Sequence, residues 1–369
     1  MTETTDPRLW KKLLAAGSVG SLALLTACGG DDDNGGGHTV DNVSVDTEEA
    51  QAAAAECDEI TQLDVSLGWI MNVEWAGFYI AEQNGYYAEE CLDINWIQGG
   101  PNAASTMQNV SSGQAHIGVE PSMPNWLQDV VNGEDFVAIG SMFYDTPGAI
   151  LSLAENPMES AEDLQGATIL GQEGTRPMLD GVFGAAGMEP DYNFVSAGYD
   201  ADPLVNGDGD ALTVYATNQP IMLEQQYGMT EDDYVVTTYA DLGLPQYGCL
   251  IYANGDTLEE MSEEMEGFLR ASARGWLENE EDPEVAANLA VDVYGADLDL
   301  DLEQQIRENE IQIPFVRGPL ADDELFYIDT ERWGGEVYEG FEIAEMIEGE
   351  LPNPEDVVDM TFLEAAYAE

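Results

Sequence analysis

Lysine occurs only at Lys11 and Lys12, and beyond Cys28 the basic residues are Arg176, Arg270, Arg274, Arg307, Arg317 and Arg332. All of the 74 acidic residues except Glu3 and Asp6 lie in that same stretch, and the whole chain carries a formal charge of −65. That balance excludes nucleic acid as a partner, because phosphate binding rests on Lys and Arg. Histidine is almost as scarce, with His38 and His116 alone. His116 opens a strand-like run, at the end away from where parallel sheets bind ligands, so neither a Ser-His-Asp nor a Cys-His arrangement has a base. Four cysteines and two histidines, dispersed as they are, make no zinc site. The phosphate-cradling Gly-x-x-x-x-Gly-Lys run is missing too. The run "NGDGDA" from Asn206 begins like a calcium loop, but Ala211 stands where such a loop needs glycine and Thr217 where it needs glutamate, which favours a plain turn. These absences point away from an enzyme, a metal protein or a carrier of a cofactor.

What is present is apolar enough to fold: 44% hydrophobic residues over 369 positions supply one large core or two. The acids are spread along the chain instead of gathered in a tail. In dilute buffer such a polyanion repels itself. In molar salt, where the Debye length is about 3 Å, it does not. The composition therefore reads as that of a halophile's protein.

The N-terminus, "RLWKKLLAAGSVGSLALLTACGG", has a positive stretch, an apolar run and small residues before a cysteine, which is the anatomy of a signal peptide over residues 1–27. The apolar run is short for a membrane span, although an uncleaved anchor is the alternative. "LTAC", Leu25 to Cys28, resembles a lipobox, which makes Cys28 the lipidated residue of the mature protein. Residues 28–60 are rich in Gly and Asp and poor in large apolar side chains, and read as a disordered acidic tether. The expected location is extracytoplasmic, anchored to the outer face of the cytoplasmic membrane. Cys57 and Cys91 precede two strand-like runs; there they form either a disulfide or two separate buried thiols. Cys249, in "YGCLIYA", reads as a core thiol.

From Leu63 onward short apolar runs ("LDVSLGW", "LDINWI", "HIGVE", "FVAIGSM") alternate with amphipathic stretches, and a second such series follows "PMESAEDLQG". Strands alternating with helices argue an α/β fold of two lobes, each an open, mostly parallel sheet flanked by helices. "VSSGQAHIGVE" and "LVNGDGDALTVY" look like equivalent points of the two. "GAILSLA" (Gly148 to Ala154) and "YGCLIYA" (Tyr247 to Ala253) read as two crossing strands. The boundaries follow: residues 61–147 with 254–369 form a discontinuous first lobe, and 148–253, with both crossing strands, form the second.

"GWIMNVEWAGFYIAEQNGYYAEECLDINWIQGGPN" resembles the opening of the substrate-binding proteins of ABC importers, in the family that takes up thiamine pyrimidine precursors, riboflavin, and sulfonate, taurine or nitrate anions. The likeness continues through "VSSGQAHIGV", "LTVYATNQPIMLEQQYG" and "LPQYGCLIYANGDTLEEM" and covers about Leu63 to Gly295. Cys91 stands where that family usually has Gly, and His116 where it usually has Asp. An enzyme branch of the family, the pyrimidine synthases, consumes one of its own histidines. Here Trp75 stands at that place, and "GSMFYDTPG" replaces their cysteine-rich run. The resemblance implies a two-lobed, type II-like periplasmic-binding-protein fold that closes over a small ligand and works as a monomer with an ABC permease and ATPase.

It also implies where the ligand sits, in loops at the C-terminal ends of the strands. The candidates in the first lobe are Trp69, Asn72, Glu74 and Trp75, then Gly99 and Gly100, Glu120, Phe143 and Tyr144. In the second lobe they are Gln172, Glu173, Gly174, Thr175 and Arg176, then Asn218 and Gln219. Each has a structural alternative. The tryptophans could cap the core, the glycines could make a turn, and Asn218 and Gln219 could cap the helix at Pro220. Arg176 could pair with an abundant acid. Phe78 and Tyr79, at helical spacing, read as core.

Two aromatic planes with amides and a carboxylate suit a flat heteroaromatic ligand, a thiamine pyrimidine precursor or a riboflavin-like ring. The alternatives are a small organic or inorganic anion (sulfonate, taurine, nitrate) and a synthase of the same fold. The charge pattern predicts that the melting temperature rises steeply between dilute buffer and molar KCl; a thermal melt insensitive to salt would contradict the halophilic reading.

Overall fold

The structure, a computed structural model, describes residues 38–40 and 42–368. The segment read as a signal peptide, Cys28 and the first part of the segment read as a tether lie outside the described residues.

Among the described residues eleven strands build two sheets. The first is assembled from β1 (His38–Val40), β2 (Ile60–Leu67), β3 (Leu92–Ile97), β4 (Ile117–Glu120), β5 (Phe136–Phe143) and β11 (Gly248–Asn254). The second holds β6 (Gly148–Leu153), β7 (Thr168–Gly171), β8 (Asn193–Ser196), β9 (Ala211–Tyr215) and β10 (Tyr234–Thr238). In the first the order is β3-β2-β4-β11-β5, with β1 beside the start of β2. In the second it is β8-β7-β9-β6-β10. Apart from β1, which runs antiparallel to β2, each sheet has four parallel strands and one antiparallel strand between its third and fourth, so the two lobes share a topology. β4 and β9, the strands of the two similar sequence runs, hold the same place in each.

Burial explains the strand composition. In the second sheet Ile150, Ile169 and Ala211 face one cluster with Leu179, Val182 and Phe183, while Ala149, Leu151, Leu170 and Leu212 face another with Leu204 and Leu223. Alternate residues point to opposite faces and both faces are covered, so the strands are apolar throughout. In the first lobe the helix Ala76–Gln83 lies beneath the long helix Ser262–Glu281. A Cβ on Gly275 would stand 2.0 Å from the Gly77 carbonyl oxygen, so this close crossing requires glycine. The C-terminal helices Pro354–Val357 and Thr361–Ala368 pack against β5 of the first sheet.

Two sequence expectations need correction. β11 pairs antiparallel with β4 and β5, so the second crossing strand belongs to the first lobe. A short apolar run fits any buried strand, and only pairing decides its sheet. The segment read as a disordered tether through residue 60 is folded over its described part: β1 pairs with β2, and the helix Glu48–Ala54 is capped by Thr47. Ala50 and Ala54, one turn apart, pack with Ile60 and Ala88. Two alanines at that spacing suffice where the neighbouring backbone is close, and composition alone does not show it.

The chain crosses between the sheets over residues 144–147 and 239–247. Arg332 sits against both crossings: Nη1 donates to the Tyr144 carbonyl at 2.7 Å, Asp145 pairs with it, and its guanidinium lies 4.2 Å from the Tyr144 ring centroid and 4.6 Å from that of Tyr247. Among the described residues no helix is long and apolar enough to cross a membrane.

Cys57 and Cys91 are joined by a disulfide across a sequence separation of 34. It ties the first folded segment to the start of β3. Replacing both by alanine is expected to lower stability by about 4 kcal/mol, from loop-closure entropy. Denaturant unfolding in molar KCl checks this, and an unchanged midpoint would contradict it.

Candidate functional site

A cavity of about 470 Å³ lies where the C-terminal ends of the parallel strands of both sheets converge. From the first lobe it is lined by Trp69, Ile70, Asn72 and Glu74 after β2 and Pro121 after β4. The second lobe contributes Gln172 and Thr175 after β7, Tyr199 after β8, and Thr213, Val214, Tyr215, Thr217, Asn218 and Gln219 on and after β9. Gly148 and Tyr239 line it at the crossings. A third wall comes from the helix Leu302–Arg317 and the residues before it: Leu300, Gln304, Gln305 and Glu308.

The loop after β2 is a short helical turn, Val73–Trp75, capped by Asn72, whose Oδ1 accepts from the Glu74 N–H at 3.4 Å. The backbone of Val73 is held at both ends: its N–H donates to Gln305 Oε1 and its carbonyl accepts from Gln312 Nε2, both at 2.8 Å. Tyr79 Oη donates to the Asn72 carbonyl at 3.0 Å. These bonds satisfy a buried turn that no sheet or helix satisfies.

Of the candidates read from sequence, the structure brings Trp69, Asn72, Glu74, Gln172, Thr175, Asn218 and Gln219 to the cavity. It places the others elsewhere. Trp75 is fully buried in the core, stacked on Phe78, with Nε1 donating to the Ile70 carbonyl at 2.9 Å. It begins a helix buried beneath another, so its side chain enters the core. Gly99 supports the wall from behind, its N–H donating to the Trp69 carbonyl at 3.0 Å, and Gly100 sits beside Ile70 at φ +121°. Glu120 accepts from Thr106 Oγ1 at 2.5 Å and the Ser122 N–H at 3.0 Å, while Pro121 takes the wall position. Phe143 is core, and Tyr144 packs under Arg332. Glu173 and Gly174 belong to the short turn before the helix Arg176–Ala185, and Gly174 is exposed and is not on the wall. Arg176 is exposed, with its guanidinium 4.1 Å from the Phe194 ring centroid.

Sequence reasoning missed the aromatic partner of Trp69. It is Tyr199 of the opposite lobe, with centroids 5.9 Å apart and planes at 51°. It also missed the helix wall. The signal was there: Gln305, Glu308, Asn309 and Gln312 recur at i, i+3, i+4 and i+7, and all four are buried. A polar stripe at helical spacing marks the inward face here, the reverse of the usual pattern. Gln219 reaches across the second lobe, accepting from the Tyr215 N–H at 2.9 Å and donating to the Tyr199 carbonyl at 3.3 Å.

Two lining groups are carboxyls. Burial pushes Glu74 up to about 7, opposed by the Cys249 thiol, which donates to its Oε1 at 3.3 Å. Burial and the neighbouring Glu74 push Glu308 up to about 8, opposed by the amides of Asn218 and Gln305. Asn72 Nδ2 and Gln305 Nε2 donate to Glu308, each at 3.2 Å. Among the described residues the lining has no lysine, arginine or histidine. Chemically it offers two ring faces, several amides and hydroxyls, and a negative corner.

The geometry agrees with what the chain is similar to. A family profile described as NMT1/THI5 like matches residues 72–286. A formylaminopyrimidine-binding protein of Halalkalibacterium halodurans is 25% identical over 292 residues, covering 76% of this chain and 84% of that protein. The riboflavin-binding protein RibY of Chloroflexus aurantiacus is 25% identical over 289 residues, covering 74% and 78%. Among solved structures, the periplasmic aliphatic sulphonate binding protein SsuA of Escherichia coli aligns with a TM-score of 0.61 at 14% identity, covering 81% of this chain and 92% of that one. That likeness establishes the periplasmic-binding-protein fold.

Both cavity carboxyls are protonated more readily in the folded chain than at their ordinary value of 4.5. Between about 4.5 and 8 the folded state therefore binds more protons, and stability falls as pH rises through that window. Glu308→Gln is expected to flatten the loss between pH 5.5 and 8.5, by an amount on the order of a few kcal/mol. Denaturant unfolding across that range in molar KCl checks this; a slope as steep as that of the parent protein would contradict it.

Proposed function

The chain belongs to the NMT1/THI5-like family, and from that premise we propose that it is an extracytoplasmic solute-binding protein that delivers a small flat heteroaromatic ligand, of the pyrimidine or flavin class, to an ABC permease. The observation that carries this reading is the cavity wall. Trp69 and Tyr199 come from opposite lobes, and amides with two carboxyls surround them, without a cationic side chain among the described residues. Stacking with edge-on hydrogen bonds suits a ring, and rings held so gain about 0.5–1.5 kcal/mol beyond area burial. A sulfonate or nitrate ion would meet two carboxyls and no compensating charge.

Because the ring-facing groups sit on both lobes, a ligand between them favours the closed arrangement, and closure is the signal the permease reads. Lipid attachment at Cys28, supported by "LTAC" after a charged and apolar leader, holds the protein at the membrane. The chemistry supports binding without turnover, since among the described residues the wall carries no histidine or lysine, and the neighbouring thiol of Cys249 is buried and pushed well up by burial and Glu74.

A thermal-shift screen in molar KCl with 4-amino-2-methylpyrimidine, riboflavin, taurine and nitrate tests the reading. A rise with one of the rings, and a Kd weakened at least about tenfold by Trp69→Ala or Tyr199→Ala, is expected. A rise with taurine or nitrate alone, or rings whose affinity ignores both substitutions, would overturn it.

A further inference from the structure

Most buried polar groups of the cavity wall are already in use. Asn72 caps its own turn and donates to Glu308, Thr213 pairs with Thr175, Gln219 bonds the Tyr215 N–H and the Tyr199 carbonyl, and Gln305 holds Val73. Both oxygens of Glu308 accept amide hydrogens, one from Asn72 and one from Gln305. Among the described residues two groups on the wall differ. Glu74 is 8% exposed, and only its Oε1 is engaged, by the Cys249 thiol at 3.3 Å; Oε2 accepts from no described residue. Thr217, after β9 in the second lobe, is 4% exposed, and its hydroxyl has no hydrogen-bond partner among the described residues.

Neither group is sealed in the interior. Among the described residues the side-chain polar atoms closed off without a partner are the indole nitrogens of Trp96, Trp126, Trp276 and Trp333 and the hydroxyls of Tyr239 and Tyr338. Glu74 Oε2 and Thr217 Oγ1 do not belong with them, so both open on the cavity that their residues line. A largely buried acceptor and a largely buried hydroxyl left without partners are costly, and a ligand that partners them removes the cost. They stand on opposite lobes, as Trp69 and Tyr199 do.

Cys249 gives Glu74 its direction. It is fully buried on β11 at φ +52°, while Gly248 stays opposite Phe143 and Leu250 opposite Ser141, so the strand keeps its register across it. A left-handed residue other than glycine inside a strand is strained and persists only where its surroundings hold it. The side chain so placed is the donor that ties Oε1 back and leaves Oε2 for the cavity.

We propose that Glu74 and Thr217 are the specificity-determining residues of the cavity: Glu74 Oε2 accepts an N–H of the ligand, the Thr217 hydroxyl donates to a ring nitrogen, and Cys249 is the positioning residue that keeps Oε2 free. This rests on the cavity being the site of a heteroaromatic ligand and deepens that reading by assigning the ligand a donor toward the first lobe and an acceptor toward the second. Glu308, with both oxygens taken, belongs to the scaffold of the turn.

Isothermal titration in molar KCl at pH 8.5 tests this with 4-amino-2-methylpyrimidine and 2,4-dimethylpyrimidine, which share their ring nitrogens and differ in the amino group. At that pH, above the value of about 7 to which burial pushes Glu74, the carboxyl is an acceptor only. The amino probe is expected to bind at least about tenfold tighter than the dimethyl probe. Glu74→Gln should abolish that preference, because its one oxygen goes to the thiol and a donor then faces the ligand. Cys249→Ala should shrink the preference, and Cys249→Ser, which keeps a donor, should restore it. Thr217→Val and Glu308→Gln should each weaken both probes alike and keep the preference. Equal binding of the two probes to the parent protein, or a preference that survives Glu74→Gln, would overturn the role of Glu74 while leaving the ring site intact. A preference unaltered by Cys249→Ala would overturn the role of Cys249, and unchanged affinities in Thr217→Val that of Thr217. A preference lost in Glu308→Gln would overturn the division between the two carboxyls. Failure of both probes and of riboflavin to bind would overturn the ring site itself.

Discussion

The cavity depends on how one turn is held. Val73 has its N–H on Gln305 and its carbonyl on Gln312, so the loop after β2 is fixed by side chains of a helix more than two hundred residues later in the chain. Everything the first lobe offers a ligand follows from that pair of bonds. Trp69 and Asn72 are aimed inward because the turn is fixed, and Glu308 reaches the same space because it stands one helical turn from Gln305 on the same face. The helix therefore serves as both scaffold and wall.

Movement between the lobes is governed by contacts of very different strength. The Arg332 side chain is largely enclosed and touches both crossing segments through a carbonyl, a carboxylate and two ring faces, which ties the two crossings together. Arg307, by contrast, bridges to Glu224 and Glu231 of the second lobe near the surface. Exposed pairs of that kind contribute at most about 1 kcal/mol, and a Debye length of roughly 3 Å in molar salt weakens them further. In molar salt such surface pairs would hold the lobes together less than the direct contact of Trp69 with Tyr199.

The fold was largely legible in the sequence because strand and helix periods alternate cleanly, and two similar runs marked equivalent strands. What it hid were matters of pairing and of small residues: β11 joins the first sheet by register with β4 and β5, and Ala50 with Ala54 builds a helix face without large side chains. The site was half legible. Loop position after a parallel strand identified Trp69, Asn72 and Glu74, yet the same rule misplaced Trp75, whose indole N–H closes the turn onto Ile70. Arg176 stood out through rarity, and rarity says nothing about direction; its guanidinium faces Phe194. Tyr199 and the helix wall were missed because neither motif nor apolar period marks a polar stripe as an inward face.

The account's central claim is that a ring is gripped between the lobes against a negative corner. A crystal structure of the protein grown from molar KCl with a heteroaromatic ligand bound tests it most directly. A planar ring packed against Trp69 and Tyr199, with one edge within hydrogen-bond distance of Glu74 or Glu308, is the expected result. A ligand seated instead at Arg176, or an anion filling the cavity, would contradict it.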